Sequence, residues 1–342
     1  MSDLKAGPLA GTGAGRLLAL ACLALLLSAA ALGAVALGAA TMPPAKILSA
    51  IFAFDGSRDH ILITGIRLPR VLAALLAGSA LAVAGAIMQA VSSNPLASPD
   101  LLGINSGAAF AVVSVMSAYG TGIGDLYVWL AFVGAAAAAG IVYALGSLGA
   151  GGHSPLRLVL AGAIITTFLT SVTTVVLIFD QGTLDAVRLW TAGSVTGRSM
   201  AQVKTVTPYI LVGLITALPF GRHLTTLSLG ADASRALGQS PVLWRGLSIA
   251  LVILLAGGAV ALAGPIGFVG LLVPHLVRMC IGVDYRWVVP FSAVTGALLV
   301  IVADMVGRLV FGSQSFPVGV TIALIGAPFF LYLARTRLRG DA

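Results

Sequence analysis

The sequence predicts an all-α polytopic membrane protein with about ten transmembrane helices and an inverted repeat. Three observations carry that prediction. Of 342 residues, 59% are hydrophobic and 9% are charged, against about 25% charged in a typical soluble domain. Ten apolar runs approach the roughly 20 residues that a helix needs to cross a bilayer. Ala77–Gly85 resembles Ala256–Gly264, and the same offset aligns Ile87 with Ile266 and Pro95 with Pro274. The two copies lie in the second and seventh runs, five crossings apart, so they take opposite orientations, as transporter repeats do.

This composition excludes a soluble enzyme, a nucleic-acid binder and a disordered chain. With a mean hydropathy of +1.07, the chain has more apolar surface than a soluble fold of this size can hide. The formal charge is +8, and every acid is Asp. Lys5, Lys46 and Lys204 are the only lysines. The bases are scattered between apolar runs, which suits membrane topology rather than nucleic acid.

The candidate spans are 17–40, 67–91, 101–119, 127–148, 157–179, 206–220, 246–263, 266–281, 287–310 and 317–334. The first is longer than the roughly 7–15 residues of a signal-peptide core, so it reads as a retained helix. The second opens on Arg67-Leu-Pro-Arg70. The third follows Asn94–Gly103, a polar, proline-broken re-entry. The second and fourth carry small residues four apart (Gly78 and Ala82, Gly134 and Ala138), a spacing that lets helices approach closely in lipid. The fifth carries Thr166, Thr167, Thr170, Ser171, Thr173 and Thr174, which either line a path or bond back to their own helix. Gly264-Pro265 divides the seventh from the eighth; without that break the count is nine. The ninth holds Asp304 and Arg308 at i,i+4 spacing.

An even count puts both termini on one side, and Arg335, Arg337 and Arg339 mark that side as cytoplasmic. The cytoplasmic segments then hold eleven of the bases and the outer segments eight. Arg67, Arg70 and Arg308 lie at the outer ends of their spans. They snorkel, or they meet an acidic partner. The stretch 222–245 reads as two short helices, one over 231–237 stopped by Gly238 and one started by Ser240 and Pro241. It either docks a partner or lies on lipid. Residues 180–202 form a short outer helix around Trp190 or a plain connection.

No phosphate-binding loop occurs, because no lysine follows a glycine, and no Glu is present to act as a base. If ATP drives transport, another chain hydrolyses it. His60, His153, His223 and His275 lack metal-ligand spacing, and Cys22 and Cys280 read as apolar thiols. Two competing readings remain. One is an intramembrane enzyme using Ser106, His275 or Asp304, and the other is an ion-coupled transporter using Asp304.

Several stretches together resemble the permease subunits of the FecCD family, the type II ATP-binding-cassette importers of iron–siderophores, haem and cobalamin. They are Arg67–Arg70, Gly85–Gln89, Asn94–Ala97 with Leu102-Gly103, Leu160–Gly162, Leu229-Gly230 through Ala236–Gly238, Gly264–His275 and Gly326–Pro328. Ser93 departs from the family, which usually has Arg there. The resemblance implies ten helices per subunit and two permease copies, identical or different, around a central path. It also implies two ATPase subunits on the cytoplasmic face and a substrate-binding protein outside. No cofactor is implied on this chain, since ATP is used by the partner. Leu229, Gly230, Asp232, Arg235, Ala236, Leu237 and Gly238 are the implied ATPase contact. Arg67, Arg70 and Arg308 are the implied contact with the binding protein. The implied path and gates are Ser154, Pro155 and Leu156, then Thr166, Thr167, Thr170, Ser171 and Thr174. Asn94–Gly103 and Val187–Ser194 look like the ferric-siderophore branch, with haem or cobalamin as the alternative. The implied location is the bacterial cytoplasmic (inner) membrane.

Overall fold

The computed structural model describes residues 13–38, 41–122, 124–147, 155–312 and 316–338, and these form helices and turns with no strand. The helices are α1 (Gly13–Ala36), α2 (Pro44–Phe52), α3 (Arg58–Leu62), α4 (Leu68–Ser92), α5 (Ile104–Tyr119), α6 (Leu126–Ser147) and α7 (Pro155–Phe179). They continue as α8 (Gln181–Thr191), α9 (Met200–Ser228), α10 (Ala231–Ala236), α11 (Pro241–Ala263), α12 (Val269–Ile281), α13 (Tyr285–Phe311) and α14 (Val318–Leu338). A π-turn, Ile63–Arg67, leads into α4, and a 3-10 turn, Pro99–Leu102, precedes α5.

Each of the ten predicted spans corresponds to a helix: α1, α4, α5, α6, α7, α9, α11, α12, α13 and α14. Seven are long and apolar enough to cross a membrane, and three are shorter: α5, α12 and the apolar part of α14, Val318–Phe329. The separation of α11 from α12 is real. Gly264 breaks the chain at φ +72° and Phe268 adopts φ +66°, a left-handed conformation that is costly for a bulky residue. Its ring is wedged where a Cβ on Gly326 of α14 would stand 2.8 Å away.

Helix α4 is the hub. It is buried along nearly its whole length and packs on α9, α11, α12 and α13. Its surface is small enough to allow this. A Cβ on Gly78 would fall 2.3 Å from the Gly296 carbonyl, and one on Gly85 would fall 1.9 Å from the Gly270 carbonyl. The predicted small-residue pairs are the contact points. Gly78 and Ala82 face Gly296 of α13, while Gly134 and Ala138 face Gly107 of α5. Without a hydrophobic drive between helices in lipid, such close backbone packing is what holds them together.

The structure corrects two readings. The stretch 222–245 is not a pair of short helices. α9 runs on to Ser228, α10 is a single short helix, and Pro241 starts α11, which continues unbroken to Ala263. Ser240 stands at the N-cap position, but its side chain makes no capping bond. The repeat also diverges after its nine matching residues. Gly85 lies inside α4 whereas Gly264 ends α11, and Pro95 lies in a turn whereas Pro274 lies inside α12. The sequence reading missed α2, α3 and the first six residues of α9. That start is fixed by a capping box in which Ser199 Oγ accepts from the Gln202 amide and Gln202 Oε1 from the Ser199 amide.

The chain alternates between two ends of the bundle. One carries α10, the start of α1 and the end of α14. The other carries α2, α3 and α8.

Candidate functional site

At the α10 end, a short helix is held rigidly while its outer side stays bare. Gly230 enters it at φ +100° and Gly238 leaves it at φ +76°. The exit is a Schellman motif: the Gly238 amide donates to the Arg235 carbonyl at 2.9 Å and the Gln239 amide to the Ser234 carbonyl at 3.0 Å. Ser234 is fully buried, and its hydroxyl donates to the Thr226 carbonyl of α9 at 3.0 Å. Asp232 and Arg235 pair with each other at 2.8 Å on the exposed side. Leu229 and Leu237 flank the helix, 58% and 65% exposed, with Ala236 between them also exposed. The tip of an anchored helix thus leaves two leucines bare. Beside it, Arg222, Thr225, Thr226, Val283, Asp284 and Arg286 line a cavity of about 320 Å³. The Arg286 side chain, bound to both oxygens of Asp284, holds that carboxyl below the usual carboxylate range.

A chain of contacts leads from α10 to α7. Ser93, the residue that departs from the resembled family, takes a left-handed conformation at φ +50° and donates its hydroxyl to the Leu227 carbonyl at 3.3 Å. The following 3-10 turn sits directly against α7, so that a Cβ on Gly162 would fall 1.8 Å from the Leu101 carbonyl.

Most of α7 is exposed in the single chain. Thr167, Thr170, Ser171 and Thr174 are exposed and share one face by helical spacing, while Thr166 is half-buried near Gly103. Of the two expectations for these residues, bonding back to their own helix is observed. Ser171 and Thr174 donate to the Thr167 and Thr170 carbonyls, each at 2.8 Å, and their oxygens still face out of the chain. Leu156 is exposed at the start of the helix. Pro155 opens α7, and Ser154 and His153 lie outside the described residues.

At the opposite end, Arg67, Arg70 and Arg308 come together, although they are far apart in sequence. They do not project. Their exposures are 8%, 6% and 9%. Arg70 grips Asp304, with Nη2 2.8 Å and Nε 3.2 Å from Oδ1. Arg308 Nε lies 3.3 Å from Asp304 Oδ2, which realises the expected i,i+4 pair. Arg308 Nη1 also donates to the Leu37 carbonyl at 3.0 Å, and Arg67 Nη1 to the Val35 carbonyl at 2.8 Å. These carbonyls are the ones left unpaired at the end of α1, where the helix dipole also favours positive charge. Three guanidinium groups thus cap one helix and neutralise one aspartate. The cluster keeps net positive charge and borders a cavity of about 280 Å³ at Arg308, Gly38 and Thr41.

The residues considered for other chemistry are engaged structurally. Ser106 Oγ donates to the Gly103 carbonyl at 3.0 Å, and Asp304 is held by two arginines. His275 is buried within α12. No cluster of His, Cys, Asp or Glu suited to a metal occurs among the described residues. Helix α8 exists as one of the two expected forms. Asp180 caps it by accepting from the Thr183 amide at 3.0 Å. Its exit is tied down by bonds from the Ser194 amide to the Ala263 carbonyl and from the Gly319 amide to the Gly193 carbonyl.

Known proteins resemble this chain in sequence and fold. The chain is 42% identical to the Fe(3+)-citrate import system permease protein YfmD of Bacillus subtilis, over 84% of this chain and 85% of that one. It is 38% identical to the ferric enterobactin transport system permease protein FepD of Escherichia coli, over 96% and 98%. A solved structure of a metal-chelate type ABC transporter in an inward-facing conformation superposes with a TM-score of 0.81 at 26% identity, covering 94% of this chain and 99% of that one. The profile of the FecCD transport family matches residues 22–336. A ten-helix membrane bundle with these motifs and these relatives is a membrane transport permease, and the chain belongs to the FecCD transport family.

Proposed function

We propose that this chain is the membrane-spanning subunit of an ATP-driven importer that carries a ferric chelate, a siderophore complex in the first instance, into the cytoplasm. Two permease copies face each other across their α7 walls. Two ATPase subunits bind at α10, and a substrate-binding protein docks at the α8 end. Both termini then face the cytoplasm of a bacterial inner membrane. The observation that carries this reading is α10 itself, a helix locked to α9 by Ser234 yet exposing Leu229 and Leu237. The relatives named for ferric enterobactin and ferric citrate support the substrate class.

The contacts provide a mechanical route. A displacement of α10 is passed to the end of α9 through Ser234 and from there to Ser93 at the Leu227 carbonyl. It reaches α7 through the Leu101–Gly162 contact. The wall that moves is lined with hydroxyl oxygens, acceptors that suit a polar chelate already holding its metal.

Leu237→Asp tests the docking surface. A carboxylate in an apolar contact costs desolvation on binding. Association with the partner ATPase, measured by co-purification or calorimetry, should fall at least tenfold, with the melting temperature of the permease unchanged. Unchanged association overturns the assignment of α10. For the opposite end, Arg67→Gln keeps a donor for the Val35 carbonyl while removing a charge. Binding-protein affinity should weaken, and its salt dependence should flatten. Equal affinity at low salt would count against a docking role for this cluster.

A further inference from the structure

The cavity of about 320 Å³ beside α10 lies between the last two turns of α9 and the turn that joins α12 to α13. Arg222, Thr225 and Thr226 form one wall, and Val283, Asp284 and Arg286 form the other. The walls are fixed to each other. The Tyr285 amide donates to Thr225 Oγ1 at 3.0 Å, and a Cβ on Gly221 would stand 2.8 Å from the Arg286 Cα. Thr226 belongs both to the cavity and to the anchor of α10, because its carbonyl accepts from Ser234 Oγ at 3.0 Å. The charges are unequally matched. Asp284 accepts from the Arg286 amide at 3.0 Å and binds the Arg286 side chain through both oxygens. Arg16 adds its positive charge to the surroundings of that carboxylate. Arg222 is exposed, and its guanidinium has no hydrogen bond or ion pair among the described residues. The cavity therefore keeps net positive charge, and its unused donors are those of Arg222.

We propose that this cavity receives one acidic side chain of the ATPase subunit, with its carboxylate on Arg222 and its methylenes against Val283. The proposal rests on the reading of α10 as the ATPase contact, and adds to it a second contact of opposite chemistry. A partner seated on Leu229 and Leu237 also covers the cavity, since Thr226 is common to both. Arg222 offers five N–H donors in a fork that matches a carboxylate. Val283, half exposed, supplies the apolar contact. It is the one aliphatic residue of the lining, too little to hold the acyl chain of a lipid. A second permease copy would bring its own arginines to the same place. An occupied cavity grips α13 as well as α9, and α13 runs on to Asp304 and Arg308 at the opposite end of the bundle.

The test is calorimetric titration of the full-length permease in detergent with its purified partner ATPase, at low and at high salt. Arg222→Glu should weaken association about tenfold at low salt and less at high salt, with the melting temperature of the permease unchanged. Val283→Trp, which fills the cavity and leaves every charge in place, should weaken it at both salt concentrations. Arg157→Gln, the loss of a charge at the same end away from the cavity, should leave it as in the wild type. Among Lys substitutions of the surface acids of the ATPase, one should restore binding to Arg222→Glu but not to Leu237→Asp. Wild-type affinity for Arg222→Glu and Val283→Trp, with binding still lost in Leu237→Asp, overturns the cavity proposal and leaves the reading of α10 standing. Equal losses with Arg222→Glu and Arg157→Gln, or a scan in which no Lys restores binding, also overturn it. A wild-type permease that does not bind the ATPase at all removes the reading of α10 and the cavity proposal together.

Discussion

Asp304→Ala is expected to destabilise the bundle by about 3–5 kcal/mol, the usual cost of breaking a buried ion pair from one side. The carboxylate is the only acid in contact with Arg70 and Arg308 among the described residues. Its removal strands two buried guanidinium groups beside a third, on Arg67. The junction they hold joins the end of α1 to the start of α4 and the end of α13, so the loss is global. Asp304→Asn retains a shape and one acceptor and should fall between the variant and the wild type. Adding Arg70→Met to Asp304→Ala should recover part of the loss by removing one stranded charge. Thermal unfolding in detergent checks all three. A wild-type melting temperature for Asp304→Ala would show that the cluster does not brace the fold. The same series bears on an ion-coupled mechanism that uses Asp304, because arginines engage both of its carboxylate oxygens, at 2.8 and 3.3 Å.

Gly85→Val is expected to have the second large effect. Its first added carbon would lie 1.9 Å from the Gly270 carbonyl, and the obstacle is backbone in the first turn of α12. Backbone cannot rotate away as a side chain can, so α4 and α12 must separate. Overpacking of this kind costs about 1–3 kcal/mol even where side chains can give, and here the cost is at or above that range. Gly140→Val on α6, where nothing lies within 4 Å of an added carbon, is the control and should be close to neutral. Folded yield and melting temperature distinguish them. Equal behaviour of the two variants would contradict the packing described for α4.

The ten helices were legible because lipid demands long apolar runs, and each run announces itself locally. Even the contact faces showed, since Gly78, Ala82, Gly134 and Ala138 stood at the right spacing. The short helix at α10 was readable from Gly238, whose position after 231–237 signals a helix stop. Its partner was misread because Ser240-Pro241 starts a helix without saying how long that helix runs. The amphipathic pieces α2 and α3 were missed because their polar residues bond to each other across the turn, as Ser49 does with His60, and no periodic pattern reveals that. The arginine cluster was found one residue at a time, but its geometry was not. Nothing in the sequence ties Arg70 to an aspartate 234 positions away, and only the crossing of α4 and α13 at Gly78 and Gly296 brings them together. The contribution of Ser93 was hidden for the same reason. In sequence it is a lost charge; in the fold it is a left-handed link from the end of α4 to the last turn of α9.

Under the proposed function this chain carries a ferric chelate but takes its energy from another subunit. Uptake of a radio-iron-labelled ferric siderophore into proteoliposomes holding the permease, its ATPase and its binding protein tests this most directly. Uptake that requires ATP and the ATPase, persists with a protonophore present and is lost with Leu237→Asp is the predicted result. Uptake by the permease alone, driven by a proton gradient and indifferent to ATP, would contradict it.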